Sequence, residues 1–349
     1  MLSASPKRVV LIGAGMVART HVAACADAVG VSLYGVQSRT AEKARNLAEM
    51  AQSRVGHPAR VFHDLGTVAA DPDVDFAIVL TPPNARADII RPLAEAGKHI
   101  LLEKPMGRNA DEAREVVRIC RDAGVTLGVV FQHRMREASR KAAQMIAAND
   151  LGALGLVEVS VPWWREQSYY DEPGRGSYAR DGGGVLISQA IHTIDLALWL
   201  AGPVASVRAM AATTRFHRME SEDFVVAGLE FASGAVGSLV ASTASFPGGA
   251  ESITLHFDRA SLHLESGELH VSWRDGRSVV FGAAGGTGGG ADPMAFTHEW
   301  HQGVIEDFAA ALISGRPPAI TGKDALAAHD LIDAITTSAR TGGVTELTT

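Results

Sequence analysis

Val9-Val10-Leu11-Ile12-Gly13-Ala14-Gly15-Met16-Val17-Ala18 is an apolar run that turns into a glycine-rich loop. Further on, Gly97-Lys98-His99-Ile100-Leu101-Leu102-Glu103-Lys104-Pro105 is a second apolar run that ends in a lysine and a proline. Gly13 and Gly15 fill the first two positions of G-x-G-x-x-G/A, and Ala18 fills the third. The first glycine allows a tight turn. The second lets backbone approach a pyrophosphate, and the third position needs only a small residue for helix-on-strand packing. The pyrophosphate would lie on amides at a helix N-terminus, where the dipole favours an anion. Gly13, Gly15, Met16 and Val17 are therefore expected to hold a dinucleotide.

Working outward, residues 8–131 alternate short β-branched runs with alanine-rich helical segments. Strands are expected near 8–12, 31–36, 61–62, 76–80, 99–102 and 126–130, and helices near 16–28, 41–51, 87–96 and 110–123. Near-continuous apolar strands separated by helices predict a parallel sheet covered on both faces, a doubly wound Rossmann fold. After Phe131 the texture changes. One helix near 138–149 leads into longer strand-like runs between 156 and 281, joined by short turns and interrupted by a helix near 185–201. That pattern predicts an antiparallel sheet. The segments 298–314 and 323–341 are helical again, with Thr321 and Asp324 spaced as a capping box. The expected division is an α/β dinucleotide-binding domain over 1–131 and an α+β substrate and oligomerisation domain over 132–349. The stretch 282–290 holds six glycines in nine residues. It is either a lid over a ligand or a surface tip.

A chain of 349 residues that is 46% hydrophobic has enough apolar side chains for two cores. No apolar stretch reaches membrane-spanning length. Met1 to Arg8 is short and polar, without the apolar centre of a signal peptide. A cytoplasmic location is the expectation. The net charge of −7 and the lack of a basic block argue against nucleic acid. Cys25 and Cys120 fall on separate predicted helices, as small core residues rather than a disulfide.

NAD-specific loops usually carry an acid about twenty residues past the fingerprint, for the ribose 2′-hydroxyl. Here the second strand runs into Gln37-Ser38-Arg39-Thr40. Ser38 would not repel a 2′-phosphate, and Arg39 either pairs with it or stacks on the adenine. NADP is favoured over NAD. Glu103-Lys104-Pro105 ends a strand at its carboxyl end, where ligands bind in such sheets, and proline stops the ladder. Lys104 is either half of a surface ion pair with Glu103 or a cation in the cleft.

At this point the chain resembles the glucose–fructose oxidoreductase, inositol dehydrogenase and MocA family over nearly its whole length. The carriers are the Gly13–Ala18 loop, Thr81-Pro82-Pro83-Asn84, Ala96-Gly97-Lys98-His99, Glu103-Lys104-Pro105, Gln132-His133-Arg134, and Gly182-Gly183-Gly184 running to His192 and Asp195. The resemblance implies a Rossmann domain followed by an open, mostly antiparallel sheet through which members form homodimers or homotetramers. It also implies hydride transfer at a carbon bearing oxygen, on a sugar, sugar derivative or cyclitol. It places Thr81, Pro82, Pro83, Asn84, Glu103, Lys104 and Gln132 at the cofactor, and Arg134 and Gln189 at the substrate. Lys104 and His192 would handle the proton. Two positions depart from the family: Ser188 stands where many members carry aspartate, and Arg86 where a histidine is frequent. Arg86 contacts either an anionic substrate group or only the surface.

Ser188 and His192 are four apart and share a helix face, and Asp195 can orient the imidazole. The alternative is a core histidine bonded to Asp195. The glycines before them would let backbone approach a ligand. Trp164, Arg165 and Tyr169 suit a sugar ring, or belong to an aromatic strand end in the second core. His298 and His301 are three apart, but no zinc spacing appears and hydride transfer needs no metal, so none is expected. The function expected is an NAD(P)-dependent oxidoreductase. The alternative is a cofactor-binding sensor that has lost turnover, for which Ser188 is the best support.

Overall fold

Strands apolar on both sides can be buried only between layers of helices. The computed structural model describes residues 5–285 and 296–347. Its first half runs β1 (Lys7–Ile12), α1 (Ala18–Asp27), β2 (Val31–Gln37), α2 (Ala41–Val55), β3 (Arg60–Phe62), α3 (Leu65–Ala70), β4 (Phe76–Val79), α4 (Arg86–Glu95), β5 (His99–Glu103), α5 (Ala110–Asp122) and β6 (Leu127–Val130). The six strands form one parallel sheet of order β3-β2-β1-β4-β5-β6. The order reverses between β1 and β4, so the loops after these strands flank the crevice where such sheets take ligands. Only α3 lacks a counterpart in the sequence pattern. Six residues are too few to show a helical period. Its start is fixed by Asp64, which accepts from Thr67 N at 2.7 Å.

The second half continues with α6 (Glu137–Ala147), β7 (Leu154–Pro162), α7 (Gln167–Tyr170), a π-helical turn (Leu186–Ala190), α8 (Ile191–Ala201), β8 (Val204–Ala212), β9 (Phe224–Phe231), β10 (Val236–Ser242), β11 (Ser252–Phe257), β12 (Ala260–Glu265), β13 (Glu268–Trp273), β14 (Ser278–Gly282), α9 (Glu299–Ser314), α10 (Gly322–Thr341) and β15 (Thr345–Glu346). The nine strands order as β14-β13-β12-β11-β7-β10-β9-β8-β15. The sheet is mixed rather than wholly antiparallel, because β7 pairs parallel with β10. Turn signals reveal hairpins between neighbours in sequence, whereas this pairing joins strands far apart in the chain. Thr321 and Asp324 form the expected capping box, each accepting from the other's amide. Gly282 ends β14 and Gly285 donates to the Ser266 carbonyl at 2.7 Å. The rest of the glycine stretch, 286–290, lies outside the described residues.

The chain separates into two compact units. One holds Met1–Gly107, Asp111–Gln132 and His298–Leu326, and the other Arg108–Ala110, His133–Thr297 and Ala327–Thr349. Helix α9 therefore belongs with the Rossmann strands despite its late place in the chain. Phe308 explains the return. It is 1% exposed, and its ring centroid lies 5.3 Å from that of Phe76. A Cβ on Gly128 would stand 2.6 Å from the Phe308 ring, so only glycine lets this ring lie on β6. Phe308→Ala is expected to destabilise the protein by about 3–5 kcal/mol, read as a lowered urea midpoint.

Candidate active site

In the Rossmann unit, Gly13 adopts a φ of +108°, which favours glycine, and its N–H donates to the Gln37 carbonyl at 2.8 Å. A Cβ on Gly13 would stand 3.3 Å from the Leu80 carbonyl carbon and from the Thr81 side chain. The loops after β1 and β4 thus meet at the switch point. At Gly15 the Cβ position has nothing within 4 Å. Its backbone faces open space, as a loop that receives a ligand must. Ala18 is buried under the start of α1, and no side chain caps that helix. Its first-turn amides suit phosphate oxygens. Met16 is exposed, and β2 delivers half-buried Ser38 and exposed Arg39 beside the loop. These features fit a nicotinamide dinucleotide. Thr81 and Pro82 lead into a 3₁₀ turn, Pro83–Ala85. Gln132 is buried in the same unit, after β6.

Lys104 is half-buried and follows β5 directly, joined to Pro105 by a cis peptide. Its backbone is gripped from both sides. Arg86, 3% exposed, donates from Nε and Nη2 to the Thr81 carbonyl at 3.0 and 2.9 Å, from Nη1 to the Glu103 carbonyl, and from Nη2 to the Lys104 carbonyl at 3.3 Å. The surface role expected for Arg86 does not match this burial, and its guanidinium is engaged by backbone carbonyls. The guanidinium staples the loop after β4 to the end of β5. Burial draws its pKa down to about 9, against the opposing charge of Glu103.

On the other side, Glu103 Oε2 accepts the Lys104 amide at 3.1 Å. Oε1 meets His21 Nε2 of α1 at 2.8 Å, and lies 3.7 Å from His301 Nε2 of α9. Glu103, expected at the cofactor, thus has its carboxylate bonded inside the unit. Burial, the largest single influence, works to raise its pKa, but the His21 hydrogen bond and the attraction of His21, His301 and Lys104 together outweigh it and hold the carboxyl at about 2. His21, Glu103 and His301 offer ligand atoms within 4.8 Å of one another. His21 hydrogen-bonds the Glu103 carboxylate and His301 lies against it, so the two rings surround an ionised carboxylate. His298, paired with His301 by spacing, bonds Asp27 instead at 2.7 Å. His21, not among the residues expected at the site, shares the apolar face of α1 with Ala18, Val22 and Cys25, where a histidine is the signal that marks it.

In the second unit the three glycines serve packing. A Cβ on Gly182 would overlap the backbone of Arg108, and one on Gly184 that of Glu222. Their expected approach to a ligand is an approach to protein instead. The Glu222 carboxylate accepts from Gly184 N and Leu186 N, at 3.1–3.2 Å, and so caps the helix that carries His192. Burial raises the Glu222 pKa, while these backbone hydrogen bonds oppose the shift. The helix opens as a π turn, so the i,i+4 argument that put Ser188 and His192 on one face does not carry across it. Ser188 is half-buried, and His192 is 7% exposed.

Asp195, expected to orient His192, receives Arg134 with both oxygens: Nε at 2.8 Å and Nη2 at 2.6 Å, a buried bidentate pair. Arg134 also lies over the Trp199 ring, 5.5 Å from its centroid. Arg165 is buried, 5.1 Å from the Trp163 ring centroid and 5.8 Å from that of Tyr169. Gln189 Nε2 donates to Tyr169 Oη at 3.3 Å. Trp164 stands apart, in an aromatic group with Phe216, His217 and Phe246. The structure brings Arg165, Tyr169 and Gln189 together, and Arg134 with Asp195.

A glycine loop at the switch point of a parallel sheet, with a lysine held at the end of β5, defines an NAD-binding Rossmann oxidoreductase. Comparison with known families agrees. Residues 7–131 match the oxidoreductase family with an NAD-binding Rossmann fold, and residues 139–263 match the GFO/IDH/MocA C-terminal domain. The chain belongs to the GFO/IDH/MocA oxidoreductase family. It is 28% identical over 332 residues to the rhizopine catabolism protein MocA of Rhizobium meliloti, covering 94% of each chain. It is 29% identical over 337 residues to an inositol 2-dehydrogenase of the same species, covering 93% of this chain and 94% of that one. The WlbA dehydrogenase from Bordetella pertussis, solved with NADH and UDP-GlcNAcA, superposes with a TM-score of 0.83 at 26% identity, over 100% of both chains. Among the described residues no helix is long and apolar enough to cross a membrane.

The His301 environment makes stability depend on pH. Burial, aided by His21, lowers the His301 pKa from 6.5 to about 3, against the pull of Glu103. Below 6.5 the unfolded chain takes up a proton that the folded chain refuses, so stability falls as pH falls from 6.5 towards 3. Between pH 6.5 and 4.5 Glu103 is ionised in both states and adds nothing to this slope. His301→Gln should therefore lose less stability than the parent over that window, measured as urea midpoints.

Proposed function

We propose that this oxidoreductase acts on a hydroxyl or carbonyl carbon of a sugar, sugar derivative or cyclitol, with Lys104 and His192 as its catalytic residues. The observation that carries it is the clamp on Lys104: a lysine with its own peptide gripped by Arg86 and Glu103, in the unit that carries the dinucleotide loop. A nicotinamide dinucleotide, when bound, supplies the hydride chemistry. The chain's own residues hold the substrate and move its proton. In the oxidising direction the Lys104 ammonium bonds the substrate oxygen and stabilises its developing negative charge. His192 accepts the hydroxyl proton as general base. Arg134 and Asp195 keep the helix bearing His192 in place, and Ser188, Gln189, Arg165 and Tyr169 offer hydrogen bonds and an aromatic face to a polyhydroxylated ring.

The absence of an acid at Ser38 and the exposed cation of Arg39 favour NADP over NAD. One sheet face exposes Leu156, Val236, Val240 and Met210. This apolar surface suits a second copy of the chain in a homodimer or homotetramer. Two buried, unpaired cysteines suit a reducing cytoplasm.

A screen of sugars and cyclitols against the purified protein, followed by nicotinamide absorbance, tests the activity. His192→Ala should lower kcat/KM for oxidation by about 10²–10⁴-fold, and a wild-type rate in the folded variant would remove His192 from the chemistry. Arg39→Ala should weaken NADP binding more than NAD binding, with a gap of about 1.5–3 kcal/mol, as for hydrogen bonds to charged groups. Calorimetric titration with each cofactor measures it, and equal losses would mean that Arg39 stacks on adenine.

A further inference from the structure

The imidazole of His133 lies against that of His192, with ring centroids 4.8 Å apart and planes inclined by 26°. Arg136 Nη2 stands 2.7 Å from His133 Nε2. A guanidinium only donates hydrogen bonds, so His133 Nε2 must accept, and the ring proton sits on Nδ1. Protonating Nε2 would break this bond and set two cations in contact. Arg136 is fixed in turn, because Nη1 donates to Glu251 Oε1 at 2.8 Å in a pair buried on both sides. Such a pair gains little stability, since desolvation offsets its attraction. Among the described residues, charged groups near this chain include the Arg134–Asp195 pair, whose charges cancel, and Glu265 and Glu268 at a cavity of about 20 Å³ that Ser139, Thr193 and Glu251 also line. That volume holds one water at most.

We propose that the Glu251–Arg136–His133 chain is a positioning device for His192: it locks His133 as a neutral imidazole, an uncharged seat on which His192 can take up a proton. The inference rests on His192 being the base of the proposed reaction. A protonated His133 would repel an imidazolium stacked on it. Glu251 serves by cancelling the charge of Arg136, which would otherwise oppose proton uptake at His192.

Carbon-13 spectra of histidine-labelled full-length protein, titrated from about pH 5 to 9, read each ring directly across the range where histidines titrate. His133→Gln and His192→Gln assign the two signals. The expected result is that His133 keeps the shift of a neutral Nδ1–H ring throughout while His192 titrates. A His133 that titrates like an ordinary histidine overturns the proposal. Replacing the ion pair by apolar residues of similar size, Arg136→Met with Glu251→Met, preserves packing. In that variant His133 should begin to titrate and the His192 midpoint should move down. Unchanged titration of both rings overturns the proposal as well. These spectra need no substrate, so their failure is distinct from a failure of the catalytic assignment, which the rate of His192→Ala decides.

Discussion

The strand ends of the Rossmann unit depend on one guanidinium. Parallel strands end in carbonyls that have lost their ladder partners, and an unmatched buried carbonyl is costly. Arg86 supplies donors to three of them, at Thr81, Glu103 and Lys104, and so turns the ends of β4 and β5 into one rigid piece. The Glu103 carboxylate completes the arrangement from the far side, with His21 keeping it ionised. Networks of this kind rigidify only when their members are satisfied. The lysine at the end of β5 therefore owes its place to a buried polar network more than to the proline that follows it.

The second unit solves the same problem with ion pairs. Arg134–Asp195 and Arg136–Glu251 are both buried, and both arginines follow His133 within three residues. Each pair is neutral as a whole. The candidate side chains of each unit are thus carried on buried polar scaffolds attached to helices and strand ends, where position can be held within narrow limits.

How much of this was legible in the sequence follows from the range of each interaction. The six parallel strands and their helices, and the strands of the second sheet, declare themselves through local apolar periodicity. The glycine loop and the Glu103-Lys104-Pro105 segment are local too, each a run of neighbours with one job. What stayed hidden joins distant positions: His21 to Glu103 across 82 residues, Arg136 to Glu251 across 115, and β7 to β10 across two helices and two strands between them. Periodicity carries no information about such pairings. Arg86 was noticed as a departure from a family pattern, but its burial depends on where the ends of β4 and β5 meet. The glycines at 182–184 suggest room for a ligand in the sequence, whereas the room Gly182 and Gly184 make is for Arg108 and Glu222.

The π turn Leu186–Ala190 has a consequence of its own. A π turn holds about one more residue than an α turn, and each residue of an α-helix accounts for about 100° of rotation. The surplus is trapped between Glu222, which pins the amides of Gly184 and Leu186, and Asp195, which is clasped by Arg134. The direction in which His192 points is therefore a matter of residue count as much as residue identity. Shortening this stretch by a single position, with every side chain retained, would unwind the surplus and turn the imidazole about a quarter of the way round the helix axis. Chain length between two anchors acts here as a determinant of side-chain direction, one that a comparison of side chains alone would miss.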